Sequence, residues 1–209
     1  MTNAQIQLHL INLDAADFSA ERYLPLFSEE RRREILSFRL ERDRRAKILA
    51  EILVRELAAQ KMSCPVEEIL IERDERGKPW ILNSPLQISL SHSRSWAACT
   101  VGTVKSGVDV EEDFSDALET AKFFFAPQEY FSISRLQGDE RRRKFLSLWT
   151  LKESYAKFLG TGLDEEILRL DIEGLQTRAN FFCRNFYLEG GAVVGVCTEP
   201  GTSINFLQN

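Results

Sequence analysis

At 209 residues, 44% hydrophobic and 28% charged, the chain has the balance of an ordinary globular protein of one good-sized domain or two small ones. A formal net charge of −5 excludes a general nucleic-acid binder, which needs a basic field. No window approaches the apolar length of a membrane span, so no membrane association is expected.

The N-terminal "MTNAQIQLHLINLDAADFS" lacks a basic region leading into an apolar stretch, so no secretory signal is expected. Within it, "IQLHLINL" alternates as a strand does, with His9 a half-buried strand residue. From Ser28 to Lys61 leucines and isoleucines recur at helical spacing, with a break near Leu40. "EEILIERDERGKPWIL" reads as a β-hairpin turning at Asp74 to Gly77. "LQISLSHS" and "WAACTVGTVKSGVDVEE" add strands, with turn residues at Ser91 to Ser95 and at Ser106–Gly107.

Past Glu112 the texture turns helical. "DALETAKFFFAPQEYFSISRL" predicts two short helices split at Pro127. "DERRRKFLSLWTLKESYAKFLG" predicts a strong helix with Asp139 as N-cap and Gly160 as its C-terminal stop. The tail from "ILRLDIEG" to "INFLQ" reads as strand-rich, with "YLEGGAVVGV" a hairpin. "EERRREILSF" (29–38) and "DERRRKFLSL" (139–148) echo each other about half a chain apart. Either this is a chance match of arginine-rich helix starts, or the chain is two related α/β halves joined near 103–107. The four cysteines, Cys64, Cys99, Cys183 and Cys197, form no C-x-x-C pair, which predicts a reducing, cytoplasmic setting and no zinc site.

Three stretches have the residue types that chemistry needs. In "GVDVEE" (107–112) Val108 and Val110 share one strand face, so Asp109 and Glu111 stand side by side on the other. Either that face meets water, or a cation or shared proton relieves the repulsion. On the long helix Trp149, Glu153 and Lys157 form one stripe at i, i+4, i+8, which by itself describes an edge tryptophan beside a surface ion pair. Lys152 projects toward the apolar face of Phe145, Leu148, Leu151, Tyr155, Phe158 and Leu159 and is expected to snorkel out. "GKPW" (77–80) and "SLSHSRS" (89–95) offer a lysine, serine hydroxyls and His92, donors suited to oxyanions. Paired acids plus such donors describe a site for Mg²⁺ and a polyphosphate, since Mg²⁺ is usually shared between carboxylates and substrate phosphates. No Walker loop, G-x-G-x-x-G, kinase signature or G-x-S-x-G is present.

"GKP", "SLSHS", "GVDVE" and "LWTLKESYAKFLGTGL" occur in the order, and near the spacing, of the motifs of 4'-phosphopantetheinyl transferases. The chain resembles the larger, pseudo-dimeric type that activates surfactin synthetase, over about residues 40–163. The resemblance implies an α+β fold of two similar halves, 1–104 and 105–209, related by a pseudo-two-fold, with the active site in the cleft between them and a monomer in solution. It implies transfer of the phosphopantetheine arm of coenzyme A to a serine of an apo acyl, peptidyl or polyketide carrier protein, with release of 3',5'-ADP.

By similarity, Asp109, Glu111 and Glu153 would hold Mg²⁺ against the diphosphate, and Lys157 would offset charge on the leaving group. Lys78 and Ser91 would bind phosphate oxygens, and His92 would reach the 3'-phosphate. Glu129 in "APQEYF" would be a candidate base, and Trp149 would support the site from beneath. The family's 3'-phosphate arginine falls at Ala46, leaving Arg45 or Lys47 to substitute. The clusters "RRR" (31–33) and "RRRK" (141–144) read as solvated faces or as a positive surface for an acidic carrier, and Phe123 to Phe125 and Phe131 as core or as carrier contacts. Two other readings use the same residues: a Mg²⁺-dependent phosphohydrolase, and a non-catalytic relative that binds coenzyme A or a carrier.

Overall fold

The computed structural model describes residues 4–15, 19–176 and 180–208. Strand β1 (Gln5–Asn12) is followed by helices α1 (Glu29–Ser37) and α2 (Glu41–Met62), then the β2 (Ile71–Arg73) and β3 (Pro79–Ile81) hairpin. Strands β4 (Gln87–His92), β5 (Trp96–Gly102) and β6 (Ser106–Glu111) lead to α3 (Ala117–Phe124), α4 (Pro127–Ser134) and α5 (Gly138–Leu159). Short helices α6 (Glu165–Arg169) and α7 (Ile172–Gln176) precede β7 (Phe182–Tyr187), β8 (Val193–Thr198) and β9 (Ser203–Gln208).

Strand alternation builds four layers. One sheet has the order β4-β5-β1-β9 and another β6-β8-β7. Their facing sides interleave Ile6, Leu8, Leu10 and Ala98 with Val108, Val110, Val194 and Val196. The first sheet's outer face, through Ile88, Cys99 and Val101, packs on Val54, Leu57 and Ala58 of α2. On the second sheet's outer face Cys183, Val193 and Cys197 pack on Phe145, Leu148 and Leu151 of α5. This is a mixed α+β architecture.

Hydroxyls seam the two sheets where β6, an edge strand, passes β4. The backbone N–H groups of Val108 and Val110 donate to the Oγ atoms of Ser89 (3.1 Å) and Ser91 (3.4 Å). Thr100 Oγ1 and Ser106 Oγ lie 2.8 Å apart in the same seam. Serines in a buried strand thus satisfy an edge that backbone pairing leaves open.

Several expectations are revised. "ILRLDIEG" is helical: Asp164 accepts from the Ile167 N–H at 2.8 Å and so caps α6. Asp139 lies in the first turn of α5 and is not its cap, which falls at Gln137. Ser106 and Gly107 begin β6 and are not a turn. The 29–38 and 139–148 echo pairs unlike elements, since the first is α1 while the second belongs to α5, whose counterpart on the other sheet is α2. The last strand, β9, runs parallel to β1 in the first sheet, so the 105–209 segment completes the sheet of the segment before it. Among the described residues, no helix is long and apolar enough to cross a membrane.

Gly107 and Gly195 let α5 lie directly on the second sheet. A Cβ at Gly107 would fall 1.9 Å from the Ser154 carbonyl oxygen, and one at Gly195 would fall 2.3 Å from that of Thr150. Both obstacles are helix backbone, which cannot rotate aside. Gly107→Ala is therefore expected to destabilise the fold by about 3 kcal/mol, measured as a lower urea midpoint.

Candidate active site

The close approach of α5 brings Lys157 onto Asp109. Lys157 Nζ donates to Asp109 Oδ1 at 2.7 Å and to Ser91 Oγ at 3.1 Å, and Ser91 donates to the same Oδ1 at 2.8 Å. Asp109 is buried, whereas the Lys157 side chain keeps about a third of its surface accessible. The other carboxylate oxygen, Oδ2, is buried with no hydrogen-bond donor in reach. An acceptor-only atom left bare inside a fold calls for a cation or a donor from outside.

Glu111 and Glu153 complete an acidic group around Lys157. Burial, with the Asp109 charge adding to it, pushes Glu111 up to about 8, and burial followed by Asp109 raises Glu153. Three oxygen-donor carboxylates with one bare oxygen fit a hard dication in chemistry. With Lys157 seated on Asp109, however, no three His, Cys, Asp or Glu side chains among the described residues stand together as a ready ligand set.

Beside this group opens a cavity of about 250 Å³ lined by Arg73, Lys78, Ser89, Glu153, Lys157 and Gly160. Lys78 arrives on the β2–β3 turn, whose Asp74 accepts from the Lys78 N–H at 2.8 Å. Burial, then the nearby Lys105, holds its ammonium below the usual lysine range. His92 closes β4 and is drawn down to about 4 by burial, then by the charges of Lys47 and Lys157, so it is neutral at pH 7. Its loop is fastened by Glu112, whose Oε1 accepts from Ser93 Oγ at 2.6 Å and from the Ser95 N–H.

The structure thus brings together Asp109, Glu111, Glu153, Lys157, Ser91 and Lys78, with His92 and Lys47 alongside. Ala46 is buried among Leu49, Ala50 and Ala97, so the position where an arginine was expected faces core. Of its neighbours, Lys47 bears on His92, and Arg45 bears on Glu21. The hydroxyl of Ser91 is committed to Asp109 and Lys157, so it organises the site from below and is not a free phosphate donor.

Two residues are placed otherwise than expected. Lys152 does not snorkel; fully buried, it pairs with Glu129 Oε2 at 2.8 Å and donates to the Leu170 carbonyl. Glu129 is buried too, and its oxygens also accept from the N–H groups of Ala126 (3.2 Å) and Ile172 (3.0 Å). Held by three fixed donors, Glu129 ties α4, α5 and α7 together, which gives it a structural role. Trp149 lies against Phe114, Phe125 and Phe145 as a support, with ring centroids 5.0, 6.4 and 5.9 Å away. Arg31, read as part of a solvated face, instead reaches buried Glu51 at 3.0 Å. Arg73 escaped the sequence reading: it precedes an ordinary turn, and nothing local shows that it reaches the buried Glu51 of α2.

Residues 105–192 match the family model described as the 4'-phosphopantetheinyl transferase superfamily, and residues 17–102 match the one described as 4'-phosphopantetheinyl transferase, N-terminal. The chain is similar to the 4'-phosphopantetheinyl transferase psf-1 of Bacillus pumilus, 31% identical over 97% of this chain and 92% of the relative. It belongs to the 4'-phosphopantetheinyl transferase superfamily. It also resembles the transferase Sfp of Bacillus subtilis strain 168, 28% identical over 85% of this chain and 84% of the relative. A third relative is the transferase gsp of Aneurinibacillus migulanus, 28% identical over 76% and 66%. The chain is accordingly a phosphopantetheinyl transferase of the Sfp type.

The acidic group makes stability depend on pH in a definite direction. Folded Glu111 keeps its proton up to about pH 8, while the unfolded chain loses it near 4.5. Between those values the folded state holds more protons, so this carboxyl lowers stability as pH rises and adds no further change above pH 8. Glu111→Gln removes the dependence. Thermal melts should show the variant gaining on the parent from about pH 5 to 8 and holding a constant lead beyond. For the buried pair, Glu129→Gln leaves Lys152 charged without a counter-ion and is expected to lower unfolding free energy by about 3 kcal/mol in urea titrations.

Proposed function

We propose that this chain transfers the 4'-phosphopantetheine arm of coenzyme A to a serine hydroxyl of an apo acyl, peptidyl or polyketide carrier protein, releasing 3',5'-ADP. One observation carries the reading. The cavity that takes Lys78 and Lys157 opens beside a buried aspartate with one bare oxygen, so donors for a diphosphate and acceptors for a dication meet at one place.

Asp109, Glu111 and Glu153 are the residues that would hold Mg²⁺. When bound there, the ion would supply charge withdrawal from the diphosphate. Lys157, about a third exposed, would turn from Asp109 to the diphosphate and offset charge on the departing 3',5'-ADP. Lys78 meets the same phosphates from the turn opposite. His92, with Lys47 beside it, would receive the 3'-phosphate; the neutral imidazole gains a proton as the anion arrives. Glu153 lines the cavity. With Glu129 paired to Lys152, Glu153 is the cavity carboxylate that would take the proton of the attacking serine. The serine then attacks the phosphorus attached to pantetheine, and the bond to the nucleotide's phosphate breaks. Positioning and charge neutralisation do the rest.

The carrier would approach across α3 and α4, where Phe123, Phe124 and Phe131 expose large faces while Phe125 is buried. Lys122 and Arg135 stand over the rings of Phe123 and Phe131 and would meet an acidic carrier helix. The two sheet-and-helix layers support a reading as two like halves, 1–104 and 105–209, acting as a cytoplasmic monomer. Cys99, Cys183 and Cys197 are buried thiols, which accords with a reducing compartment.

Intact-protein mass spectrometry after incubation with Mg²⁺, coenzyme A and apo carrier proteins tests the reaction. A phosphopantetheine mass gain on the carrier serine that requires Mg²⁺ is expected. Asp109→Asn should lower the rate at least about 10³-fold with circular dichroism unchanged. Cleavage of coenzyme A with no carrier modified would instead establish a phosphohydrolase.

A further inference from the structure

Glu51 lies in the interior of α2, 1% exposed, outside the acidic group already described. Three arginines from three elements converge on its carboxylate. Oε2 accepts from Arg31 Nε of α1 at 3.0 Å and from Arg73 Nη2 of β2 at 2.9 Å, and Oε1 accepts from Arg55 Nη2 at 3.4 Å. Each guanidinium has a second engagement. Arg31 reaches Glu34 at 2.6 Å, Arg55 donates to the Ile69 carbonyl, and Arg73 donates through Nη1 to the Gly77 carbonyl at 3.0 Å. Gly77 immediately precedes Lys78, and Arg73, Gly77 and Lys78 all line the cavity beside Glu153 and Lys157.

A single rigid link therefore runs from the core of α2 to the phosphate-facing turn. The Arg73 fork spans it, one nitrogen on Glu51 and the other on Gly77. Arg55 shares the same carboxylate but ends on the β2 approach and does not line the cavity. The charge balance points the same way. Glu51 orients three guanidiniums, with Glu34 also pairing Arg31, and the cavity itself is lined by Arg73, Arg76, Lys78 and Lys157 against Glu153. Lys47 lies within reach of the same group: burial, then Arg31 and Arg73, lower its ammonium, while Glu34 and Asp43 act against them. A polyanion entering the cavity meets this field.

We propose that Glu51 is a positioning residue for coenzyme A: through Arg73 it fixes the Asp74–Lys78 turn, and with it Lys78, at the diphosphate. The proposal rests on the transferase reading for its ligand, but its structural half can be measured without one.

The test compares Glu51→Gln, Glu51→Asp and the control Arg55→Met with the parent. Steady-state kinetics with coenzyme A and an apo carrier are paired with amide hydrogen exchange at Asp74–Lys78. Glu51→Gln should raise the KM for coenzyme A about tenfold with kcat within about twofold, and speed exchange in the turn about tenfold. Glu51→Asp, which keeps the charge but withdraws it by one methylene, should fall between, and it serves if the glutamine variant does not fold. Arg55→Met should lower the melting temperature while leaving KM and turn exchange as in the parent. Parent-like KM and exchange in both Glu51 variants would overturn the proposal. So would an Arg55→Met variant that raises KM as much as Glu51→Gln. A parent that neither binds nor cleaves coenzyme A would sink the transferase reading alone, and the exchange comparison would still decide the role of Glu51 in the turn.

Discussion

The contact of α5 with bare sheet backbone at Gly107 and Gly195 governs the rest of the molecule. Side chains normally keep a helix about 10 Å from a sheet; two glycines in register with the helix axis remove that spacing. At this distance a carboxylate on β6 and an ammonium on α5 meet directly, as Asp109 and Lys157 do. The glycine of "GVDVEE" is thus as necessary as its acids.

Two ion pairs on one helix show how burial assigns different work to similar residues. Lys152 with Glu129 is sealed at 0% and 1% side-chain exposure, and further backbone partners satisfy the pair, so it locks α4 and α7 to α5. Lys157 with Asp109 is buried on the carboxylate side only, and one oxygen has no donor. A fully satisfied buried pair is costly to break and suits structure. A half-open pair with a bare oxygen stores an unmet demand that a ligand can fill, which suits catalysis. The two lysines are five residues apart, and only their surroundings separate the roles.

Much of the site was legible because its residues are local in sequence. Alternation placed Asp109 and Glu111 on one face, helical spacing aligned Glu153 with Lys157, and "GKP" and "SLSHS" marked the donors; the structure gathers these around one cavity. Where the reading failed, the deciding partner was distant in sequence. Glu129 resembled a free base until Lys152 and the Ile172 N–H, 43 residues on, took its oxygens. Arg31 looked solvated until Glu51 from another helix claimed it. "ILRLDIEG" carried enough apolar alternation for a strand, and only the Asp164 cap and the packing of Ile167 and Ile172 made it helical.

The sequence by itself determined the element types over most of the chain, the paired acids, the donor set and the family, since period, turn chemistry and motif order are local properties. Tertiary structure alone decided which charges are neutralised and which remain open. It set the parallel return of β9 to β1, the hydroxyl seam at β6, the closure of Glu129 and the convergence of three arginines on Glu51. The reason is physical: desolvation and pairing depend on what approaches from across the fold, and one-dimensional spacing does not contain that approach.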